Sequence, residues 1–200
     1  MRWHKFSGAV VAILLLTQPV SAGTIVFEVE KNHSTLGFAI SIAGGMSKVR
    51  GQFSDYSVRI VLNEDDITNS SVEVRIQVIS INTGIKGRDA DLQKPIFFDT
   101  VNYREITFIS TSIERSGKNY IATGEFTMKG VTRTIQLPFV LKGLDRLSGD
   151  NPVIGFSTAI TVNRLEYGVG NDFVHRTIPF FLANEVQIKI DMWTRVGKRQ

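Results

Sequence analysis

Val72-Glu73-Val74-Arg75-Ile76-Gln77-Val78 alternates apolar with charged or amide side chains at every step, and a period of two marks a strand with one dry and one wet face. The pattern spreads outward from it. Upstream, Leu36, Phe38, Ile40 and Ile42 alternate with Thr35, Gly37, Ala39 and Ser41, after a shorter strand over Thr24 to Glu30. Gly44-Gly45 interrupts. The apolar phase of Val49, Gly51 and Phe53 then slips by one position into Tyr56, Val58, Ile60 and Leu62, which predicts a bulge near Ser54-Asp55.

Downstream, Ile106 to Arg115 and Tyr120 to Met128 form a hairpin about Ser116-Gly117-Lys118-Asn119, and Lys129-Gly130 turns the chain into Val131 to Leu141. Pro138 implies an edge or a bulge in that strand, because proline has no N–H to give a neighbour. A loop over Leu144 to Pro152 leads to a strand through Ile154, Phe156, Thr158, Ile160 and Val162. An aromatic connection over Tyr167 to Leu182 precedes the last strand, through Val186, Ile188, Ile190 and Met192. About eight or nine antiparallel strands at this spacing make an all-β domain, a sandwich or an up-and-down barrel. Closing the sheet on itself removes the edges that invite strand addition, so the barrel is preferred.

Gly84 to Asp99 breaks the rhythm. Arg88 to Lys94 has no β-branched residue and closes one helical turn before Pro95 stops it. Phe97 and Phe98 follow directly and need cover, so the segment reads as a short helical plug over one end of the sheet, with Arg88, Asp89 and Asp91 near the rim.

At the N-terminus, Arg2 and Lys5 precede an apolar run from Phe6 to Leu16 and the small residues of Val20-Ser21-Ala22. This is the layout of a secretory signal peptide over residues 1–22, cleaved after Ala22, with an apolar core too short to span a bilayer. Residues 23–200 then form a single domain. Losing Arg2 and Lys5 from 23 basic residues leaves 21 against 19 acidic ones, too even a balance for a dedicated nucleic-acid binder. The chain has no cysteine, which excludes disulfides, thiolate metal sites and a cysteine nucleophile.

Several strings, in order, carry a family resemblance: His33-Ser34, Ser47-Lys48-Val49-Arg50-Gly51-Gln52-Phe53, Ser80-Ile81-Asn82-Thr83, Arg88-Asp89-Ala90-Asp91-Leu92 and Phe97-Phe98-Asp99. Phe108-Ile109-Ser110-Thr111, Gly124-Glu125-Phe126-Thr127-Met128-Lys129-Gly130-Val131-Thr132-Arg133 and Arg164-Leu165-Glu166-Tyr167-Gly168 continue it. The chain resembles the YceI family. The resemblance implies an extended lipocalin-like antiparallel β-barrel of about eight strands, exported to the periplasm, with the short helix closing one end. Its apolar interior would carry or store an isoprenoid, of quinone or polyprenyl type, or another long-chain amphiphile. No catalytic residue and no further cofactor is implied. The sequence departs from the usual pattern at Ile42 and Asp91, where histidines are common, and at Arg104, where proline is.

On this reading the lumen is lined by Phe38, Ile40, Val74, Ile76, Phe97, Phe98, Phe108, Phe126, Phe139, Phe156 and Ile160. The same phenylalanines could instead meet across the axis as a solid core, leaving a protein-interaction module. Arg88, Asp89 and Asp91 offer a head-group site, a structural network for the plug, or, least favoured, the carboxylates of a lipid-modifying enzyme. His33 and His175 have no histidine at ligand spacing, so no metal site is expected, and His33 is read as bonding locally at the strand start. No serine lies in a nucleophile elbow. The segment from Gly168 to Leu182, with Phe173, Phe180 and Phe181, reads either as a cover for the mouth or as a loop folded onto the barrel. Arg195, Lys198 and Arg199 suit transient contact with anionic lipid, and a homodimer is compatible with the sequence.

Overall fold

The computed structural model describes residues 24–145 and 152–197; the expected signal segment lies outside them. The elements are β1 (Thr24–Val29), β2 (Thr35–Ile42), β3 (Ser47–Phe53), β4 (Tyr56–Asn63), β5 (Ser71–Gln77), β6 (Ile81–Asn82), α1 (Lys86–Leu92), β7 (Glu105–Ser116), β8 (Asn119–Met128), β9 (Val131–Asp145), β10 (Val153–Asn163) and β11 (Leu182–Val196). These eleven strands belong to one antiparallel sheet that closes as an eight-stranded barrel with one α-helix.

The smaller number arises because three staves are broken in the middle. β1 and β2 are separated by a 3-10 turn at Lys31–His33, and both pair with β11, Val29 opposite Thr194 and Thr35 opposite Asp191. β3 and β4 part at Ser54-Asp55, where the apolar phase slips, and pair with β2 and β1 respectively. A 3-10 turn at Val78–Ser80 divides β5 from β6. The eight staves therefore follow one another up and down in chain order, and β11 returns to the first.

The barrel is not sealed along its whole length. β6 pairs with β3 alone, and residues 83–104, including α1, leave the wall there before β7 resumes beside β5. β9 and β10 pair from Asp145–Val153 to Phe139–Thr158 and then separate. Pro138 is the next residue of β9, so the strand runs on with β8 on one side only, an edge where a missing N–H is cheap. Both partings lie toward the same end, called the split end below.

The bounds of two expected elements move. The helix begins two residues earlier than Arg88 and ends at Leu92; Lys94, Phe97 and Asp99 continue it only as hydrogen-bonded turns around Pro95. β9 reaches Asp145 instead of ending near Leu141, with its register shifted opposite Gly155/Phe156. At the other, closed end side chains pack closely around the axis: Phe27, Leu62 and Ile154 are all 3% exposed or less, and the buried Thr194 hydroxyl donates to the Ile154 carbonyl.

Candidate functional site

Inward-facing side chains of the split end enclose a cavity of about 330 Å³. Phe38, Ile40, Val74, Ile76, Phe97, Phe98, Phe108, Phe126 and Ile160 all line it, and so do Ile135, Leu137, Val186, Ile188 and Ile190. A solid core would have buried this face completely. Instead Phe38, Ile40, Val74, Ile135, Leu137, Ile160 and Ile188 remain half-buried although they point to the axis.

Glycines help to keep the space open. Gly51 sits across β2–β3 from Phe38, and a β-carbon there would collide with the Phe38 ring. Gly124 on β8 pairs with Ser110, diagonal to Phe108, and a β-carbon there would lie 2.8 Å from the Phe108 Cζ as well as against the Ile109 carbonyl. Each ring lies down over a missing side chain rather than reaching across the barrel.

Phe139 and Phe156 do not line this cavity. They face a separate void of about 50 Å³ nearer the closed end, and Phe139 stacks on Tyr120 with ring centroids 5.5 Å apart. Alternation assigns a residue to the inner face but not to a depth along the axis, which is why the sequence grouped these two with the rest.

The split end is covered by segments that hold one another. The Lys129 ammonium donates to the carbonyls of Pro95, 2.8 Å, and Gly168, 2.7 Å, and the Gly170 N–H donates to the Ile96 carbonyl, 2.8 Å. Burial pushes the Lys129 pKa down, opposed by Asp99 and Asp172. Phe173 packs on Phe97 with centroids 5.3 Å apart and lines the cavity beside Phe181, while Phe180 points outward, 95% exposed. The connection from Gly168 to Leu182 thus folds partly into the mouth.

The acidic cluster at α1 separates into different roles. Asp89 is not at the cavity: its carboxylate accepts from the Thr83 N–H, 2.8 Å, and the Thr83 hydroxyl, 2.6 Å. Its position in the first helical turn lets it reach back to the preceding turn. Arg88 lines the cavity and donates to the same residue, Nε to Thr83 Oγ1 at 2.8 Å and Nη2 to Thr83 O at 2.9 Å. Asp91 also lines it but is exposed and paired to Lys94 at 2.6 Å. Ile42, the other departure from the family pattern at a histidine, lines the cavity too. His33 Nδ1 lies 2.6 Å from Glu30 Oε2 at the start of β2, away from the lumen.

The sequence reading missed Arg164. Its guanidinium is buried, 8% exposed, and lines the cavity, with Nε on Ala183 O at 2.9 Å and Nη1 on Val169 O and Gly170 O at 2.6 and 2.9 Å. Burial alone pushes its pKa down. A signal was present: Thr158, Ile160 and Val162 face inward, and the same period of two puts a charged residue next on the dry face at 164.

A family model described as a YceI-like domain matches residues 27–193. A UPF0312 protein of Shewanella sp. (strain MR-7) is 30% identical over 175 residues, covering 86% of this chain and 90% of the relative. Among solved structures, Burkholderia cenocepacia BcnA superposes with a TM-score of 0.71 at 22% identity, over 82% of this chain and 98% of that one. A polyisoprenoid binding domain from Saccharophagus degradans, implicated in plant cell wall breakdown, superposes with a TM-score of 0.63 at 15% identity, over 86% and 99%.

Proposed function

Because this chain belongs to the YceI-like family, we propose that it binds the tail of an isoprenoid or similar long-chain amphiphile in the split-end lumen, and carries or stores it in the periplasm. One observation carries the reading: an apolar cavity of about 330 Å³ on whose wall Phe38, Ile40, Val74, Ile135, Leu137, Ile160 and Ile188 point inward and are still half-buried. That volume falls within the roughly 300–1,000 Å³ typical of small-molecule sites. An apolar guest would complete the burial that the barrel leaves unfinished, a gain set by apolar area removed from water. A tail of about twenty carbons at roughly 0.3 kcal/mol per atom gains on the order of 6 kcal/mol without an ionic contact.

The polyisoprenoid binding domain of S. degradans, which shares the fold, supports an isoprenoid tail as the first choice. Binding is favoured over lipid chemistry because Asp89 and Asp91, the carboxylates that acid–base work would need, are engaged with Thr83 and Lys94. Met46, 88% exposed on the β2–β3 turn, and Phe180 stand at the split end, joined through the Ala43 N–H to Phe181 O bond, and favour loading at a membrane surface. Of the basic tail, Arg195 is exposed and 4.0 Å from Glu30, and Lys198 and Arg199 lie outside the described residues.

The test is to purify the protein natively, extract it with organic solvent and weigh the extract by mass spectrometry. About one long-chain amphiphile per chain is expected. An empty protein that also takes up neither geranylgeraniol nor an isoprenoid quinone would overturn the proposal.

A further inference from the structure

Arg164 is the one buried charge named above that touches the lumen. Its Nε and Nη1 are occupied by three main-chain carbonyls, while Nη2 has no hydrogen-bond partner among the described residues. Those carbonyls supply dipoles and no negative charge. Among the described residues neither Arg164 nor Arg88 forms an ion pair with a carboxylate within 4.0 Å, and the one acidic side chain lining the cavity, Asp91, is paired to Lys94. Lys129 differs in this respect, since Asp99 and Asp172 are near enough to favour its charged form.

A guanidinium stays protonated in a protein, so it cannot escape burial by becoming neutral. Holding it in a dry site without a counter-charge is costly, and sites that do so gain when an anion arrives. The position along the wall matters as well. Arg164 opens the 3-10 turn Arg164–Tyr167 that follows β10, just beyond the inward-facing Ile160 and Val162, so it lies at the split end of the lumen with apolar wall beneath it.

We infer that the amphiphile bound here has an oxyanion head, a carboxylate or a phosphate, that lies against Arg164 Nη2 with Arg88 on the same rim, while the tail runs down the lumen. The inference rests on the lipid-binding reading and specifies its ligand class. Carboxylate and phosphate share the chemistry that a guanidinium recognises, short charge-assisted N–H···O bonds. A neutral alcohol accepts only weakly, and an amine head adds a second positive charge to the site.

The experiment compares tail-matched ligands on the full native chain after lipid extraction: geranylgeranoic acid, its methyl ester, geranylgeranyl monophosphate, geranylgeraniol and geranylgeranylamine. The acid and the phosphate should bind at least about tenfold more tightly than the ester and the alcohol, the range expected of a charge-assisted hydrogen bond, with the amine weakest. Arg164→Met should bring the acid-to-ester ratio close to one. If that variant does not fold, the acid-to-ester ratio of the native chain still decides. Acid and ester of equal affinity would overturn the anionic head and leave the lumen reading standing; equal or tighter binding of the amine would overturn it also. If none of the five binds, the lipid-binding reading itself fails.

Discussion

At the closed end Phe27, Leu62 and Ile154 are buried to 3% exposure or less and leave a void of about 50 Å³, whereas at the split end Phe38, Ile40, Ile160 and Ile188 face the same axis and stay half-buried around about 330 Å³. The residue types are the same. What differs is the wall: β9 and β10 stay paired only as far as Phe139–Thr158, β6 pairs with β3 alone, and Gly51 and Gly124 let two phenyl rings lie flat. A barrel of eight strands has an interior that side chains can just fill, so small changes in pairing and side-chain size decide between core and lumen.

Substitutions at the two ends should therefore separate stability from ligand retention. Phe27→Ala should cost about 3–5 kcal/mol in urea unfolding, the usual cost of emptying a packed site, with lipid content per folded chain preserved. Ile188→Ala removes a side chain whose contacts are incomplete, and should cost less than about 2 kcal/mol while weakening lipid retention severalfold. Equal stability losses at the two positions would erase the distinction. Thr158 lies on the inward face between Phe156 and Ile160, and its buried hydroxyl has no partner among the described residues. Thr158→Val should raise stability by about 1 kcal/mol, because it removes an unsatisfied polar atom at nearly constant shape; a loss of stability would show that the hydroxyl is used. Gly51→Ala should push the Phe38 ring toward the axis and lower affinity for a long tail by about threefold, about 0.7 kcal/mol, with secondary structure unchanged by circular dichroism.

The smallest expected effect concerns the outer face. The Lys142 ammonium, 2.7 Å away, holds the Asp191 carboxyl below its ordinary range. The folded pKa is lower than the unfolded one, so the stabilisation is full above the unfolded value of about 3.9 and is lost as pH falls through the folded value. The pair is exposed, so its share is small. Asp191→Asn should flatten the acid limb of the stability–pH curve slightly without changing lipid retention, and a shift in retention would tie the outer face to the lumen.

Much of the wall was legible because it depends on local alternation. The slip between Phe53 and Tyr56 marked the break between β3 and β4, and Pro138 marked the place where β9 parts from β10. Features set by how the chain folds back on itself were not. Thr83 as the partner of Asp89 depends on how the plug folds back, and the relation of Phe38 to Gly51 depends on a cross-strand register. The depth of Phe139 and Phe156 depends on where the ring of strands narrows. Arg164 was visible in principle, since the dry phase of β10 runs into it, but a charge at the end of a strand reads first as solvent-facing.

The most direct test of the lumen as the ligand site is photo-crosslinking with a diazirine-bearing isoprenoid, followed by peptide mapping. Label should fall on the inward residues of the split end, Ile135 and Leu137 of β9, Ile160 of β10 and Ile188 of β11. Label confined to the outer face or to the Phe139 and Phe156 void, or no label above that of a denatured control, would contradict it.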